Sequence, residues 1–243
     1  MFLPIKDYNP TKKTAYITII LIIINVAVFL YQAVISDLNL HIVTSAMIPW
    51  EITHMKNIDQ PVGYSVVEQR GYSVGRKPIY RDVPPLLSLI TSMFMHGSFL
   101  HLLGNMLFLW IFGNNIEDDV GKIKFIFFYL VSGVGASLAH VLFNMDSIVP
   151  VIGASGAVSG VMGAYLILYP NARVKTLVFI FIIITFVDIP AFIFLILWFV
   201  FQFFYAGSGS GIAWLAHVGG FIMGILLIKL MKKKERVHVE IIE

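Results

Sequence analysis

One serine and one histidine stand out in a sequence made mostly of apolar residues, because both lie inside apolar runs. Ser155 occurs in Gly153-Ala154-Ser155-Gly156 at the start of one run, and His217 lies near the start of another. A histidine that accepts the hydroxyl proton turns a serine into a nucleophile for acyl transfer. By itself, the Gly-x-Ser-Gly pattern is more typical of a serine that caps a helix N-terminus and is followed by packing glycines.

Small residues recur at every fourth position in the two runs that hold Ser155 and His217. The stripes are Gly156, Gly160 and Ala164 in one run and Ala216, Gly220 and Gly224 in the other. Such stripes let helix backbones approach closely within a membrane, and each begins beside one of the two polar residues. At about 1.5 Å per residue, His217 lies roughly 8 Å below the outer end of its helix, similar to the depth of Ser155. The packing that joins the helices therefore predicts a Ser155–His217 pair.

His101 and Asn105 form a second pair of polar side chains in an apolar run. A spacing of four residues places them on one helix face. With Ser98 as N-cap, they lie one to two helical turns from the start of the helix. Their side-chain N–H groups, with the backbone N–H of Ser155, could stabilise the oxyanion of a tetrahedral intermediate. The alternative is that both only bond to neighbouring helices. On a continuous helix His96 points about 140° away from His101, so we expect no shared metal site.

The composition indicates what surrounds these polar groups. Of the 243 residues, 58% are hydrophobic and only 13% are charged, whereas an average soluble domain has about 25% charged residues. We therefore expect an integral membrane protein. Cysteine is absent from the sequence, which excludes thiol nucleophiles, disulfides and thiolate metal sites, and we expect no cofactor and no metal. Lysines and arginines occur in short clusters beside the apolar runs, a pattern of membrane topology rather than of nucleic-acid binding.

Six apolar runs approach or exceed the ~20 residues that a transmembrane helix needs. They comprise residues 15–35, 86–113, 123–143, 151–169, 190–206 and 212–231. The expected fold is an all-α membrane protein with a six-transmembrane-helix bundle. Residues 36–85 form a long first outer loop with some structure at the membrane interface. Residues 174–189 are also apolar, and we interpret them as a connection that dips into the membrane, because a seventh span would move the Lys-rich tail to the outer side.

Positive charge predicts the orientation of these spans. All but five of the 17 lysines and arginines lie in segments that face the inner side if the amino terminus is inside, and those five share the long outer loop. By the positive-inside rule, both termini are cytoplasmic. Residues 1–14 then form a short cytoplasmic amino terminus, 15–231 the six-span core and 232–243 a basic cytoplasmic tail. We expect a multi-pass protein of a bacterial plasma (inner) membrane.

In this order, the motifs resemble those of the rhomboid family of intramembrane serine proteases over about residues 88–230. The motifs are His96…His101-xxx-Asn105, Gly113…Glu117, Gly153-x-Ser155-Gly156 and Ala216-His217-xx-Gly220-xxx-Gly224. The roles that the resemblance implies are nucleophile for Ser155, general base for His217, oxyanion hole for His101 and Asn105, and anchoring of the first-loop side of the fold for Gly113 and Glu117. It implies a serine–histidine dyad without a carboxylate third member.

Two positions depart from the family pattern. A Trp-Arg pair is common in the first loop of the family where this chain has Leu87-Ser88, so the anchoring or lipid contact of that loop differs here. An aromatic residue commonly sits four residues after the serine and stacks on the histidine, whereas Ser159 occupies that position in this chain. The orientation of His217 must therefore come from another contact.

Three further polar residues are interpreted as structural. His140 and Asn144 lie near the outer end of their apolar run, where a hydrogen bond between helices is favoured and contact with the active-site cavity is the alternative. Asp188, beside Pro190, is interpreted as an interfacial or capping residue.

The resemblance implies hydrolysis of peptide bonds in or near the outer end of transmembrane segments of other membrane proteins. The partners are then transmembrane protein substrates and membrane lipid, without nucleic acid, and the oligomeric state stays open. Substrates would approach laterally past the 190–206 span, with the glycine-rich residues 207–211 as a flexible lid. The alternative is a catalytically inactive relative that binds membrane clients. A carrier fits less well, because the polar groups lie at the outer edge rather than at the midplane.

Overall fold

The computed structural model describes residues 2–35, 37–69, 72–81, 83–180, 183–206 and 211–231. The helices are α1 (Tyr16–Leu30), α2 (Leu38–Ser45), α3 (Pro49–His54), α4 (Pro85–Thr91), α5 (Phe99–Val120), α6 (Lys122–Leu142), α7 (Ser155–Leu168), α8 (Ala191–Phe204) and α9 (Trp214–Met231). The strands are β1 (Phe2–Asp7), β2 (Gly63–Gln69), β3 (Tyr72–Ile79), β4 (Arg173–Ile180) and β5 (Ile183–Pro190). A π-helical turn, Tyr31–Ile35, extends α1, and a 3-10 turn, Ser92–Phe94, extends α4.

Within the described ranges, four helices are long and apolar enough to span a membrane. They are α1 with part of its extension (Tyr16–Val34), α5, α6 and α9. Two further apolar helices, α7 and α8, have 14 residues each. Each of the six predicted apolar runs overlaps one of these helices. The chain is a mostly helical, multi-pass membrane bundle, which confirms the predicted membrane helical bundle but not its count of six spans.

The apolar run at residues 86–113 is divided between two helices, and the second begins directly after Ser98, the residue predicted to cap it. Its first part forms α4 and the 3-10 turn, and the backbone is then extended at Ser98 (φ −162°, ψ 162°) before α5 begins. The Ser98 hydroxyl accepts a hydrogen bond from the backbone N–H of His101 at 3.2 Å, which caps the new helix. α5 continues past Gly113 and ends before Gly121, whose φ of 85° favours glycine.

The described residues in the range 174–189 lie in β4 and β5, which pair as a β-hairpin. β1 pairs with the other edge of β4, so the sheet order is β1-β4-β5 and both pairings are antiparallel. Val174, Thr176 and Val178 are buried and alternate with more exposed neighbours, which is the period of a strand. The all-α prediction did not include these strands, which add a small sheet to the mostly helical bundle. Asp188 lies in β5 opposite Lys175, so it is not a helix cap.

The predicted outer loop contains α2, α3 and a second hairpin, formed by β2 and β3. A buried ion pair anchors this loop, with Arg81 Nε donating to Glu51 Oε1 at 2.8 Å. The Arg81 guanidinium also donates to the backbone carbonyls of Val43 and Ala46. The Leu87 side chain, in contrast, is exposed. Arg81 therefore anchors the loop in this chain, which lacks the family's usual Trp-Arg pair.

α7 lies inside the bundle, and all of its residues from Gly156 to Tyr165 are buried. Its small-residue stripe faces the stripe of α9. A Cβ on Gly220 would collide with the backbone carbonyl of Gly156, and a Cβ on Gly224 would collide with that of Gly160. The two backbones therefore touch directly, as small residues at a helix interface allow. This contact brings the N-terminal ends of α7 and α9 together.

Candidate active site

Ser155 and His217 meet where the N-terminal ends of α7 and α9 converge. The N-cap position of α7 is Ala154, which makes no side-chain cap hydrogen bond, and Ser155 is the first helical residue. The serine hydroxyl is therefore not used as a helix cap, the alternative that the sequence alone favoured. Its Oγ lies 2.8 Å from Nε2 of His217. A hydroxyl at hydrogen-bond distance from an imidazole can give up its proton as it attacks a carbonyl.

The second nitrogen of His217 also has a partner, one that sequence reasoning missed. Nδ1 of His217 lies 2.7 Å from Oε1 of Gln202 on α8, and the amide nitrogen of Gln202 donates to the backbone carbonyl of Trp198 at 2.9 Å. Gln202 is only 3% exposed. A glutamine inside an apolar run is a functional candidate in a membrane protein, and this signal was present in the sequence.

His101 and Asn105 line the same cavity as Ser155 and His217. Asn105 is 8% exposed, and its Nδ2 is a buried donor that has no hydrogen-bond partner in the described part of the chain. His101 and Ser155 both adjoin Gly153, since a Cβ there would lie 2.7 Å from His101 Nε2 and 3.6 Å from Ser155 Oγ. Gly153 also has a φ of 120°, which few side chains tolerate. The imidazole and the hydroxyl thus face one small volume.

The site lies in a cavity of 970 Å³ to which α5, α6, α7, α8 and α9 all contribute. Its lining includes His101, Asn105, His140, Ser155, Trp198 and His217. This volume is at the upper end of the roughly 300–1,000 Å³ that ligand pockets occupy, so several residues of an extended peptide fit. Among the described residues, no three His, Asp or Glu side chains converge in a group that could hold a metal ion.

His96 is fully buried beside the site. Its ring lies edge-on to that of His101, with the ring centroids 5.0 Å apart. The predicted angle of about 140° between the two side chains, based on helix periodicity, is therefore wrong. The reason is that His96 precedes the cap residue Ser98 and does not belong to α5.

His140 and Asn144 both line the cavity, so the alternative interpretation of these two residues is the correct one. Asn144 Nδ2 donates to the backbone carbonyl of His140 at 2.9 Å, and this bond satisfies the end of α6 rather than joining two helices. Nδ1 of His140 is buried and has no hydrogen-bond partner within the described ranges. His140 thus adds a third imidazole to the walls that surround Ser155.

Ser159, at the position of the family's aromatic residue, directs its hydrogen bond to its own helix and not to His217. Its hydroxyl donates to the backbone carbonyl of Ser155 at 2.6 Å, within α7. An aromatic contact comes instead from Trp198, whose ring centroid lies 5.9 Å from that of His217. α8 therefore supplies two contacts to the His217 ring, the Trp198 ring and the Gln202 amide.

Gly113 and Glu117 lie near the other end of α5, where they hold the start of α1. The Glu117 carboxylate accepts hydrogen bonds from the backbone N–H groups of Ile17 (3.0 Å) and Thr18 (2.8 Å) and from the Thr18 hydroxyl (2.9 Å). The N-cap residue of α1, Ala15, offers no side-chain cap, so Glu117 provides it. A Cβ on Gly113 would lie 3.3 Å from the Thr18 side chain. The pair thus anchors the first helix rather than the first outer loop.

The fold and the site together define a multi-pass membrane protein in which a serine and a histidine pair at the ends of two closely packed helices. The family model described as Rhomboid domain matches residues 84–234, well over half of the chain. The chain therefore belongs to the rhomboid family, which confirms the resemblance that its motifs indicated.

Three relatives in this family show how far the similarity extends. Rhomboid protein 1, mitochondrial, of Saccharomyces cerevisiae is 33% identical over 149 residues, which cover 58% of this chain and 40% of the relative. Rhomboid-like protein 11, chloroplastic, of Arabidopsis thaliana is 29% identical over 157 residues, 64% of this chain and 56% of the relative. Rhomboid protease GluP of Bacillus subtilis is 37% identical over 78 residues, 32% of this chain and 15% of the relative. Each match spans less than two thirds of the relative's own length.

Proposed function

We propose that this chain is an intramembrane serine endopeptidase that hydrolyses peptide bonds in or near the outer end of transmembrane segments of other membrane proteins. The observation that carries the proposal is the 2.8 Å distance between Ser155 Oγ and His217 Nε2, inside a cavity that a peptide can enter. Membership of the rhomboid family supports it, as does the name of one relative, Rhomboid protease GluP.

The first half of the reaction follows from the atoms around Ser155. As Oγ attacks the scissile carbonyl, its proton passes to Nε2 of His217 and the carbonyl oxygen becomes an oxyanion. Nδ2 of Asn105, together with His101 and the backbone N–H of Ser155, stabilises this charge. The tetrahedral intermediate then expels the amine, which takes the proton from His217, and an acyl-enzyme on Ser155 remains.

The second half of the reaction uses water as the nucleophile. His217 accepts a proton from the water molecule while its oxygen attacks the acyl carbon. When the bond to Ser155 breaks, His217 returns this proton to Oγ and the new carboxylic acid leaves. One peptide bond and one water molecule thus give one acid and one amine, and the enzyme returns to its starting state.

The orientation in the membrane is part of the proposal and is supported by the distribution of lysines and arginines. Both termini face the cytoplasm of a bacterial plasma (inner) membrane, with 15–231 as the membrane core, 1–14 as the amino-terminal segment and 232–243 as the tail. Ser155 and His217 then lie towards the outer side, and substrates approach past α8. The tail lies outside the described residues, as does most of the proposed lid at 207–211, of which only the last residue is described.

A fluorophosphonate probe tests the nucleophile directly. Purified protein in detergent should react at one serine, and Ser155→Ala should abolish both this labelling and the cleavage of a single-pass model substrate. Ser159→Ala is the matched control, because Ser159 lies one turn further along α7 with its hydroxyl bonded to the Ser155 carbonyl. We expect the control to be labelled at close to the wild-type rate.

Two results would count against the proposal. Labelling that persists unchanged in Ser155→Ala would refute Ser155 as the nucleophile. Binding of a single-pass substrate by the wild-type protein without any cleavage would instead favour the alternative, a catalytically inactive protein that holds membrane clients.

A further inference from the structure

Gln202 connects α8 to the imidazole of His217. The residues around it in α8 are apolar, and its neighbours Phe201 and Phe203 are 45% and 50% exposed, whereas Gln202 itself is buried. Burying an amide is costly unless both of its ends are hydrogen-bonded. Here both ends are, since Oε1 lies 2.7 Å from His217 Nδ1 and Nε2 lies 2.9 Å from the Trp198 carbonyl oxygen.

The carbonyl of Trp198 determines which way the Gln202 amide points. A backbone carbonyl only accepts hydrogen bonds, so the amide atom next to it must be the nitrogen. The amide oxygen therefore faces His217, and because this oxygen also only accepts, Nδ1 of His217 must carry the proton. Nε2 is then the unprotonated nitrogen, and it lies 2.8 Å from the hydroxyl of Ser155.

The opposite orientation of the Gln202 amide would favour the other tautomer of His217. A flipped amide would place two acceptor oxygens against each other at Trp198 and would turn its NH₂ group towards His217. His217 would then carry its proton on Nε2, where it could not accept the proton of Ser155. One backbone carbonyl in α8 thus selects the tautomer in which the histidine can act as a base.

We propose that Gln202 is a positioning residue that holds His217 in the tautomer able to accept the Ser155 proton, an inference that rests on the proposed function. The role matches that of the carboxylate in a Ser-His-Asp triad, which holds the imidazole in the correct tautomer and orientation. An amide does this without a charge, and a carboxylate in this apolar helix would be more costly to bury. Gln202 also supplies an orienting contact that Ser159 does not.

The kinetic test uses Gln202→Leu, which removes the acceptor and keeps an apolar side chain in α8. We expect kcat for a single-pass substrate to fall about 100-fold, within the range of a general-base contribution, while KM changes little, because Gln202 acts on the base and not on the substrate. Phe201→Leu is the matched control and should keep both constants, since the Phe201 side chain is 45% exposed, contacts Phe204 in the same helix and does not line the cavity. If Gln202→Leu does not accumulate as folded protein, Gln202→Met gives the same comparison.

The tautomer can be measured without any catalysis. In protein labelled with ¹⁵N-histidine, NMR distinguishes a protonated from an unprotonated ring nitrogen, and comparison with His217→Ala assigns the His217 signals. We expect a single tautomer protonated on Nδ1 in the wild type and a mixture in Gln202→Leu. Gln202→Glu should restore the single tautomer and recover part of kcat, because its carboxylate also accepts a hydrogen bond from Nδ1.

An unchanged tautomer in Gln202→Leu would overturn the positioning role, and so would an unchanged kcat. Failure of the proposed function looks different. In that case the wild-type protein neither reacts with the fluorophosphonate nor cleaves the substrate, and the tautomer comparison still decides whether Gln202 orients His217.

Discussion

The two ends of α5 hold buried polar groups in opposite states. Near its N-terminal end, Asn105 Nδ2 is a buried donor without a hydrogen-bond partner in the described part of the chain. Near its C-terminal end, the Glu117 carboxylate accepts three hydrogen bonds from Ile17 and Thr18, and Asn115 donates to Asp7 at 2.8 Å. An unpaired buried donor costs free energy. The unpaired donor at the N-terminal end fits the proposed oxyanion hole, whereas the hydrogen bonds at the C-terminal end make it a structural anchor.

Removing the unpaired donor should give the largest effect, and it should be on catalysis alone. We expect Asn105→Ala to lower kcat by about 100- to 1,000-fold, as the loss of one oxyanion donor does, with little change in the thermal unfolding midpoint. Asn144→Ala is the control, because Asn144 lines the same cavity but its amide donates to the His140 carbonyl. Equal losses of kcat in the two variants would show that the unpaired state of Asn105 has no special role.

Removing the carboxylate at the other end should lower stability instead. Glu117→Ala leaves two backbone N–H groups and the Thr18 hydroxyl without their acceptor, and we expect the free energy of unfolding to fall by about 3 kcal/mol. The measurement is denaturant unfolding in detergent, together with the rate at which folded protein reacts with the fluorophosphonate, which should stay near that of the wild type. Asp118→Ala is the control, since Asp118 accepts from the Lys12 backbone N–H at an exposed position. A loss of Ser155 reactivity in Glu117→Ala as large as that in Asn105→Ala would remove the distinction between the two ends.

The smallest effect concerns Asp7, at the anchoring end, and it depends on pH. Burial raises the pKa of Asp7 above its ordinary value of 3.8, and this effect exceeds the opposing effect of the hydrogen bonds from Tyr165 and Asn115. The folded state therefore binds this proton more tightly than the unfolded state, and stability falls as pH rises from the ordinary pKa through the raised one. Asp7→Asn should remove this dependence. Thermal midpoints measured across that acidic range test it, and parallel pH profiles for the two proteins would contradict it.

Local spacing carried most of the information about the candidate site. Four-residue spacing placed His101 and Asn105 on one helix face, and the Ser98 cap gave the start of α5, because both depend only on helix geometry. The small-residue stripes indicated which helices touch, since only small side chains let backbones meet. These features together predict that Ser155 lies near His217.

The features that sequence reasoning missed depend on contacts or periods that the sequence does not display. Gln202 is polar in an apolar run, but its role depends on the Trp198 carbonyl and on His217 in another helix. Residues 174–189 are apolar on both faces, and such a run cannot be told from a helix by its periodicity. The predicted angle between His96 and His101 was wrong because α5 starts only after Ser98, so His96 does not belong to this helix.

The Glu117 cap of α1 forms late in the synthesis of the chain. The Glu117 carboxylate accepts hydrogen bonds from Ile17 and Thr18, which lie 100 and 99 positions earlier in the chain. α1 therefore leaves the ribosome well before the carboxylate that caps it. Until α5 follows, the first N–H groups of α1 have to bond to other partners, such as water or lipid headgroups. The cap of α1 is thus completed only once residue 117 in α5 has been made, and a nascent chain that stops before this residue carries an uncapped α1.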